Sequence, residues 1–278
     1  MSKAPARVLR VLVIGAHPDD CEFQAGGTAA KFARAGHIVR FVSATNGDTG
    51  HHSMTKSAVA KRRAAESRRS CALIGAQSEI LPISSNSLEA DLPTRRKFIA
   101  LIRRFKPDLL FTHRTNDYHP DHRRTGILVQ DSSYAIRVPK VVPGVPALSR
   151  PPLIVYLEDA FQKPSKFQAD VVVDLDEDMD TKIRMLDAHV SQVYEWLPWI
   201  DGEADQVPVG AEKRLQWLGK RLRARQAATA QRFRDKLVKA YGKRGKSIRH
   251  AEAFEISEYG AKLGAEGLKF YFPFLGSQ

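Results

Sequence analysis

Cysteine is almost missing from this 278-residue chain, with only Cys21 and Cys71 present. Neither their number nor their spacing makes a disulfide framework or a thiolate metal cage, so both are expected to be free thiols. Long apolar runs are also lacking: nothing approaches the roughly 18 uninterrupted apolar residues of a membrane-spanning helix. The opening MSKAPARVLRVLVIGAHPDD is basic and then apolar. Its apolar part is only about six residues, shorter than a secretory core, and no small-residue cleavage site follows. It reads as the first strand of a cytoplasmic protein. Absent too is the glycine fingerprint of a dinucleotide site: GAHPDD stands at 15–20 where G-x-G-x-x-G is needed, and Gly26 and Gly27 come too late. Bulky charged residues in that turn exclude the close backbone approach that a pyrophosphate requires.

What is present fits a globular α/β protein. Hydrophobic content of 43% and charged content of 27% are ordinary, and 278 residues suffice for a full α/β core. Strand-like apolar runs occur at 8–16, 38–44, 79–84, 108–113, 153–158 and 170–175. Helical stretches lie between them, one stopping at Gly36, one at Gly75 and one running from Pro93 to Pro107. That alternation predicts a mainly parallel, Rossmann-like sheet with helices on both faces. The segment 137–152 carries five prolines and predicts an extended loop able to cover part of the site. Beyond it, 177–193 looks helical, and Leu215, Leu218, Leu222, Phe233, Leu237 and Tyr241 mark the apolar face of further helices. No internal repeat is visible. The chain divides at 195, with a Rossmann-like domain over 1–195 and a helical, basic extension over 196–278 packed on it.

In an open α/β sheet, ligands sit beyond the carboxyl ends of the strands where the strand order reverses. His17, Asp19 and Asp20 lie just past the first strand, and THRTNDYHPDHR (112–123) just past the fourth. In the commonest wound order these two strands flank the switch point, so the two polar clusters are expected to meet. Histidine nitrogen and aspartate oxygen suit a divalent metal, and a catalytic site keeps three protein ligands with one open position. His17 and Asp20 are three apart, and His119 and His122 repeat that spacing. Spacing alone leaves open which three of the four are ligands.

AHPDD after the first strand with HPDH after the fourth resembles the PIG-L/LmbE-like family of zinc-dependent de-N-acetylases, which act mostly on N-acetylglucosaminyl groups. GGT at 26–28, RAAE at 63–66, LIG at 73–75, HVSQ at 189–192 and HAEAF at 250–254 extend the resemblance along the chain. It implies His17, Asp20 and His122 as metal ligands, with zinc preferred and iron(II) or another divalent metal allowed. It implies Asp19 as general base for an attacking water whose acidity the metal raises. His119 would stabilise the oxyanion or protonate the departing amine, and Asp121 would orient His119 or else serve the start of its helix. Arg63, Asp48 and Asn116 are the candidate substrate-binding residues. The implied substrate is a small molecule or glycoconjugate with an N-acetylglucosamine-type amide, and a homo-oligomer is compatible with the family. Many relatives have glycine where Gln24 stands, which narrows or re-aims the pocket here.

Other features have simpler readings. His189 sits in an amphipathic stretch and reads as a packed residue. His51 and His52 follow the second strand, at the pocket or on an exposed loop. DLDEDMD (174–180) lacks the glycine and glutamate of a calcium loop and reads as helix-capping acid. Residues 211–250 hold fourteen Lys or Arg against two acidic residues, almost the whole +13 surplus of the chain. Apolar residues at helical spacing within that stretch predict a docked helix with a solvated basic face, and no nucleic-acid motif accompanies it. Two other readings stay open: a metal-bearing scaffold that binds an acidic partner through 211–250, or an amidohydrolase acting on a non-sugar amide.

Overall fold

A computed structural model describes residues 7–263 and 267–276. The chain first alternates strand and helix: β1 (Arg10–Gly15), α1 (Asp20–Arg34), β2 (Ile38–Ser43), α2 (Lys56–Ala72), β3 (Gln77–Ile80), α3 (Leu92–Phe105), β4 (Leu109–Thr112) and α4 (Pro120–Ala135). There follow β5 (Leu153–Leu157), β6 (Val171–Asp174), α5 (Met179–Asp187), a π-helical turn (Ser191–Trp196) leading into α6 (Leu197–Ile200), α7 (Ala211–Arg232), α8 (Arg234–Tyr241), β7 (Ala251–Ile256) and α9 (Leu268–Tyr271). Local chemistry sets the helix ends. The Asp91 carboxylate accepts from the Thr94 N–H with Pro93 in the first turn, and α3 stops at Lys106, whose φ of 55° is left-handed, just before Pro107.

The seven strands form one sheet in the order β3-β2-β1-β4-β5-β7-β6. Neighbours from β3 across to β5 are parallel, and β7 runs antiparallel to both β5 and β6. The expected mainly parallel sheet is therefore present, with its order reversing between β1 and β4. Helices cover both faces, which explains why the strands read as continuous apolar runs. Val11 and Val13 pack with Ala29 and Phe32 of α1, whereas Leu12 and Ile14 pack on the other side with Phe98 and Ile102 of α3 and Leu128 of α4. Each of the buried Val, Leu, Ile and Phe side chains among these contributes about 1.5–3 kcal/mol relative to exposure. Both cysteines are free, as expected, and the structure buries both.

The structure corrects three expectations. The run at 79–84 becomes strand only at Gln77–Ile80, because Pro82 has no N–H to continue the ladder. The proline-rich segment 137–152 does not cover the site. Its residues Pro146 to Pro151 line a cavity with Lys106 and Asp108, at the opposite end of the sheet. Arg103 holds it there by donating to the carbonyls of Ile136, Val138, Val142 and Val145. The segment 196–278 is more than a helical extension, since it inserts β7 between β5 and β6. This strand escapes a sequence reading because AEAFEI contains two glutamates, one of them buried and neutralised. Glu252 accepts from the N–H groups of Gly27 and Thr28 at 3.0 and 2.8 Å and from Lys182 Nζ at 2.6 Å, tying β7 to α1 and α5.

Candidate functional site

The turn joining β1 to α1 folds back on its own aspartate. The N–H groups of Ala16 and His17 donate to Asp20 Oδ2 at 2.8 and 2.7 Å, so that His17 and Asp20 face one point beyond the sheet. The opposing wall is the start of α4. There the His119 ring caps the helix by accepting the Asp121 N–H through Nδ1 at 3.2 Å, and Pro120 presets the first turn. Gly126 lets α4 approach the end of β4, because a Cβ at that position would stand 2.6 Å from the His113 carbonyl oxygen.

These contacts bring the two polar clusters together as expected. Among the described residues, three groups of ligand-type side chains each place their donor atoms within 4.8 Å of one another: His17 with Asp20 and His122, His17 with His119 and Asp121, and His113 with Asp117 and His122. In the first group, His17 Nδ1 and His122 Nε2 each lie 3.5 Å from an Asp20 oxygen. The other nitrogen of each ring is engaged from behind, His17 Nε2 by Asp121 at 3.0 Å and His122 Nδ1 by Asp117 at 3.1 Å. Carboxylates behind ligating imidazoles are the usual way in which a metal site orients its histidines.

The electrostatics fit a cation. Burial alone would raise the Asp20 pKa, but His122, His113 and His17 outweigh it and hold the carboxyl well below its ordinary range. Burial alone would lower the His122 pKa, yet Asp20 and Asp117 push it up to about 10. The proton between those two carboxylates occupies the place of a positive charge, and a divalent ion would compete with it directly. His119 behaves oppositely, with burial and the facing His122 and His17 depressing its pKa to about 4. Because Nδ1 accepts the cap bond, the neutral His119 ring carries its proton on Nε2.

Asp19 belongs to none of the three groups. It is 6% exposed, and burial raises its pKa against the pull of Arg63. Arg63 is itself buried and donates to Asp19 Oδ1 at 2.9 Å and to the carbonyls of Pro18 and Gly47. Gly47, with φ at 70°, leaves room for that guanidinium, which a Cβ would meet at 2.5 Å. A cavity of about 540 Å³ opens over His17, Asp19, Asp20 and Arg63, with Phe23, Trp196, Leu197 and Ile200 as an apolar side. A second cavity of about 300 Å³ lies toward Arg114, Glu158 and Asp159, and Gln24, His119, His122 and Arg225 line both.

Other expected residues do different work. The Asp121 carboxylate does not reach His119; it accepts from His17 Nε2 and from the Asn86 N–H at 2.7 Å, since the first turn of α4 aims it at β1. Asp48 lines neither cavity and accepts from Ser84 Oγ and the Ser85 N–H, bracing the loop that carries them. Asn116 donates to the Lys163 carbonyl and lines neither cavity. His51 pairs with Glu195 at 3.0 Å and stacks on His52, which stacks in turn on Trp199. His189 is packed, with Nε2 2.9 Å from Glu22. The acids of 174–180 hold partners across the fold instead of capping: Asp178 pairs with Lys31 and Arg34 and Asp174 with Arg244, while Asp176 accepts from the backbone N–H groups of Arg249 and His250.

Several contributors were not assigned from sequence. His113 stacks on His122 with ring centroids 4.1 Å apart, and Asp117 braces both His122 and the His119 N–H. Both lie inside the polar run 112–123, which was the available signal. Gln192 reaches the Gly50 carbonyl from the π-helical turn, a contact that no local pattern announces.

Residues 12–132 match the family model described as PIG-L, GlcNAc-PI de-N-acetylase. A diacetylchitobiose deacetylase of Thermococcus kodakarensis is 29% identical over 210 residues, covering 69% of this chain and 74% of that protein. A 4-oxalmesaconate hydratase of Pseudomonas putida is 24% identical over 193 residues, covering 66% and 74%. Among solved structures, the N,N′-diacetylchitobiose deacetylase of Pyrococcus horikoshii in complex with its inhibitor MPG superposes with a TM-score of 0.69 at 23% identity, covering 89% of this chain and 83% of that one. Among the described residues, no helix is long and apolar enough to cross a membrane.

Proposed function

Because this chain belongs to the PIG-L/LmbE-like family, we propose that it is a divalent-metal-dependent deacetylase that removes the acetyl group from an N-acetylated sugar or sugar conjugate. The metal would be held by His17, Asp20 and His122. That choice follows from the donor set: both rings keep a free nitrogen facing Asp20 while a carboxylate fixes the other nitrogen. Two imidazoles and one carboxylate suit zinc, with iron(II) as the alternative. When bound, the ion supplies acidity to water and polarises the amide carbonyl.

The protein's own residues supply the rest. Asp19 accepts a proton from the water that adds to the acetyl carbon, and delivers it to the nitrogen as the C–N bond breaks, leaving acetate and a free amine. Arg63 holds the Asp19 carboxylate in place. His119, neutral and with its proton on Nε2, is placed to donate to the oxyanion, whereas its low basicity argues against service as the general acid. Asp121 and Asp117 fix the two ligand rings.

Asp19 carries this reading, as a buried carboxylate beside the ligand cluster but outside it. The test is acetate release from N,N′-diacetylchitobiose and related N-acetylhexosamine conjugates by the wild type and Asp19→Asn, each with its metal content measured. Loss of turnover with retained metal supports the proposal; undiminished turnover by the variant overturns it. The relationship to a hydratase supports a second reading, in which the same metal and base add water to an unsaturated acid. Water addition without any acetate release would select it.

A further inference from the structure

Three arginines line the two cavities that meet at the ligand cluster. Arg63 is paired with Asp19 at 2.9 Å and Arg114 with Asp159 at 3.1 Å. The third, Arg225 of α7, has no carboxylate within 4.0 Å among the described residues. Glu158 faces the same space, but its carboxylate accepts from Thr229 Oγ1 at 2.9 Å and lies 3.4 Å from Arg232. Arg225 is nevertheless held in place. Its guanidinium donates to Gln24 Oε1 at 3.1 Å and lies over the Phe23 ring, 5.8 Å from the centroid. The arginine and the Gln24 side chain that positions it therefore form a pair on the rim shared by both cavities.

Glu158, Glu252 and Asp20 attract Arg225 only from beyond contact distance, and a guanidinium on the rim shared by both cavities that no carboxylate among the described residues engages directly can take a carboxylate or phosphate, which its planar fork matches in two bonds. We propose that Arg225, positioned by Gln24, binds an acidic substituent of the substrate, so that the N-acetylated compound taken by this protein carries a phosphate or a carboxylate. This deepens the deacetylase reading and depends on it only for the catalytic readout. The basic charge of 211–250 is largely solvated or paired in other ways, as with Arg223 on Asp180 and Arg221 on Glu203, so the inference concerns one residue and not the whole stretch.

The test uses the metal-loaded full chain with N-acetylglucosamine 6-phosphate, N-acetylmuramic acid and neutral N,N′-diacetylchitobiose. The ratio of kcat/KM for the acidic compound to that for the neutral one is compared in the wild type, Arg225→Gln, Arg225→Lys and Gln24→Gly. The expected result is a ratio about tenfold lower in R225Q, carried by KM, with partial rescue in R225K and a smaller fall in Q24G. Preference for the phosphorylated or the carboxylated compound identifies the acid. A ratio unchanged in R225Q overturns the proposal. If no compound turns over, titration calorimetry with the same acidic sugars decides: at least tenfold weaker binding by R225Q than by wild type supports the role of Arg225 although the deacetylase reading fails, and equal binding overturns it.

Discussion

The Arg63 guanidinium stands 2.9 Å from Oδ1 of Asp19, and both groups are almost fully withdrawn from solvent. Burial raises the aspartate pKa and the arginine lowers it, so the pair fixes the pH at which the proposed base is ionised.

Removing that cation therefore has a signed consequence. In Arg63→Met, the acid limb of the pH profile of kcat/KM moves to higher pH, because the Asp19 carboxyl loses the charge that favours its ionised form. Activity on the plateau falls by at least tenfold, because the carboxylate also loses its tether. An unmoved acid limb would detach Arg63 from the base.

Metal binding should also stabilise the fold, since the proposed ligands come from the β1–α1 turn and from α4, elements that tertiary packing alone holds together. Zinc at about one hundred times its dissociation constant adds about 2.7 kcal/mol to the unfolding free energy. Thermal melting with and without a chelator checks this. The shift should be present in the wild type and absent in His122→Ala and Asp20→Ala.

Gly126 gives a steric test. A methyl group there would press on the carbonyl oxygens of His113 and Arg114 at 2.6 and 2.9 Å, whereas at Gly144 it would meet nothing within 4 Å. Gly126→Ala is expected to cost about 1–3 kcal/mol in denaturant unfolding and to lower activity by displacing α4 with its proposed ligand His122. Gly144→Ala should leave both unchanged.

His37 sets a pH dependence far from the site. Its Nδ1 accepts the Leu9 N–H at 3.2 Å, and burial lowers its pKa below the ordinary 6.5. The folded protein thus keeps a neutral ring where the unfolded chain is protonated. The stability that His37 contributes is present above pH 6.5 and is lost as the pH falls from 6.5 toward the lower folded value. In His37→Asn, which retains an acceptor but does not titrate, unfolding free energy should decline less than in the wild type between pH 7.5 and pH 5.5.

The sheet, its parallel run and the meeting of AHPDD with HPDH were legible because hydrophobic period, helix stops and the reversal of strand order are local or topological signals. His17, Asp19, Asp20, His119 and His122 were named from the two motifs, and all five line the larger of the two cavities that meet at the site. What sequence could not decide is how each side chain is aimed. Asp121 turned toward His17, Asp48 toward Ser84 and Ser85, and Asn116 toward Lys163, because a carboxylate or amide only a few bonds long bonds to whichever donor or acceptor the fold brings within reach. Strand β7 was hidden for a related reason: the buried Glu252 carboxylate is satisfied by Lys182, seventy positions away, and by the N–H groups of Gly27 and Thr28 on α1. The sequence by itself determined which histidines and aspartates gather, and at which end of the sheet. The tertiary structure alone decided which carboxylate stands behind which histidine, and left Arg225 beside Gln24 with no carboxylate within 4.0 Å among the described residues, because those pairings join segments that only packing brings together.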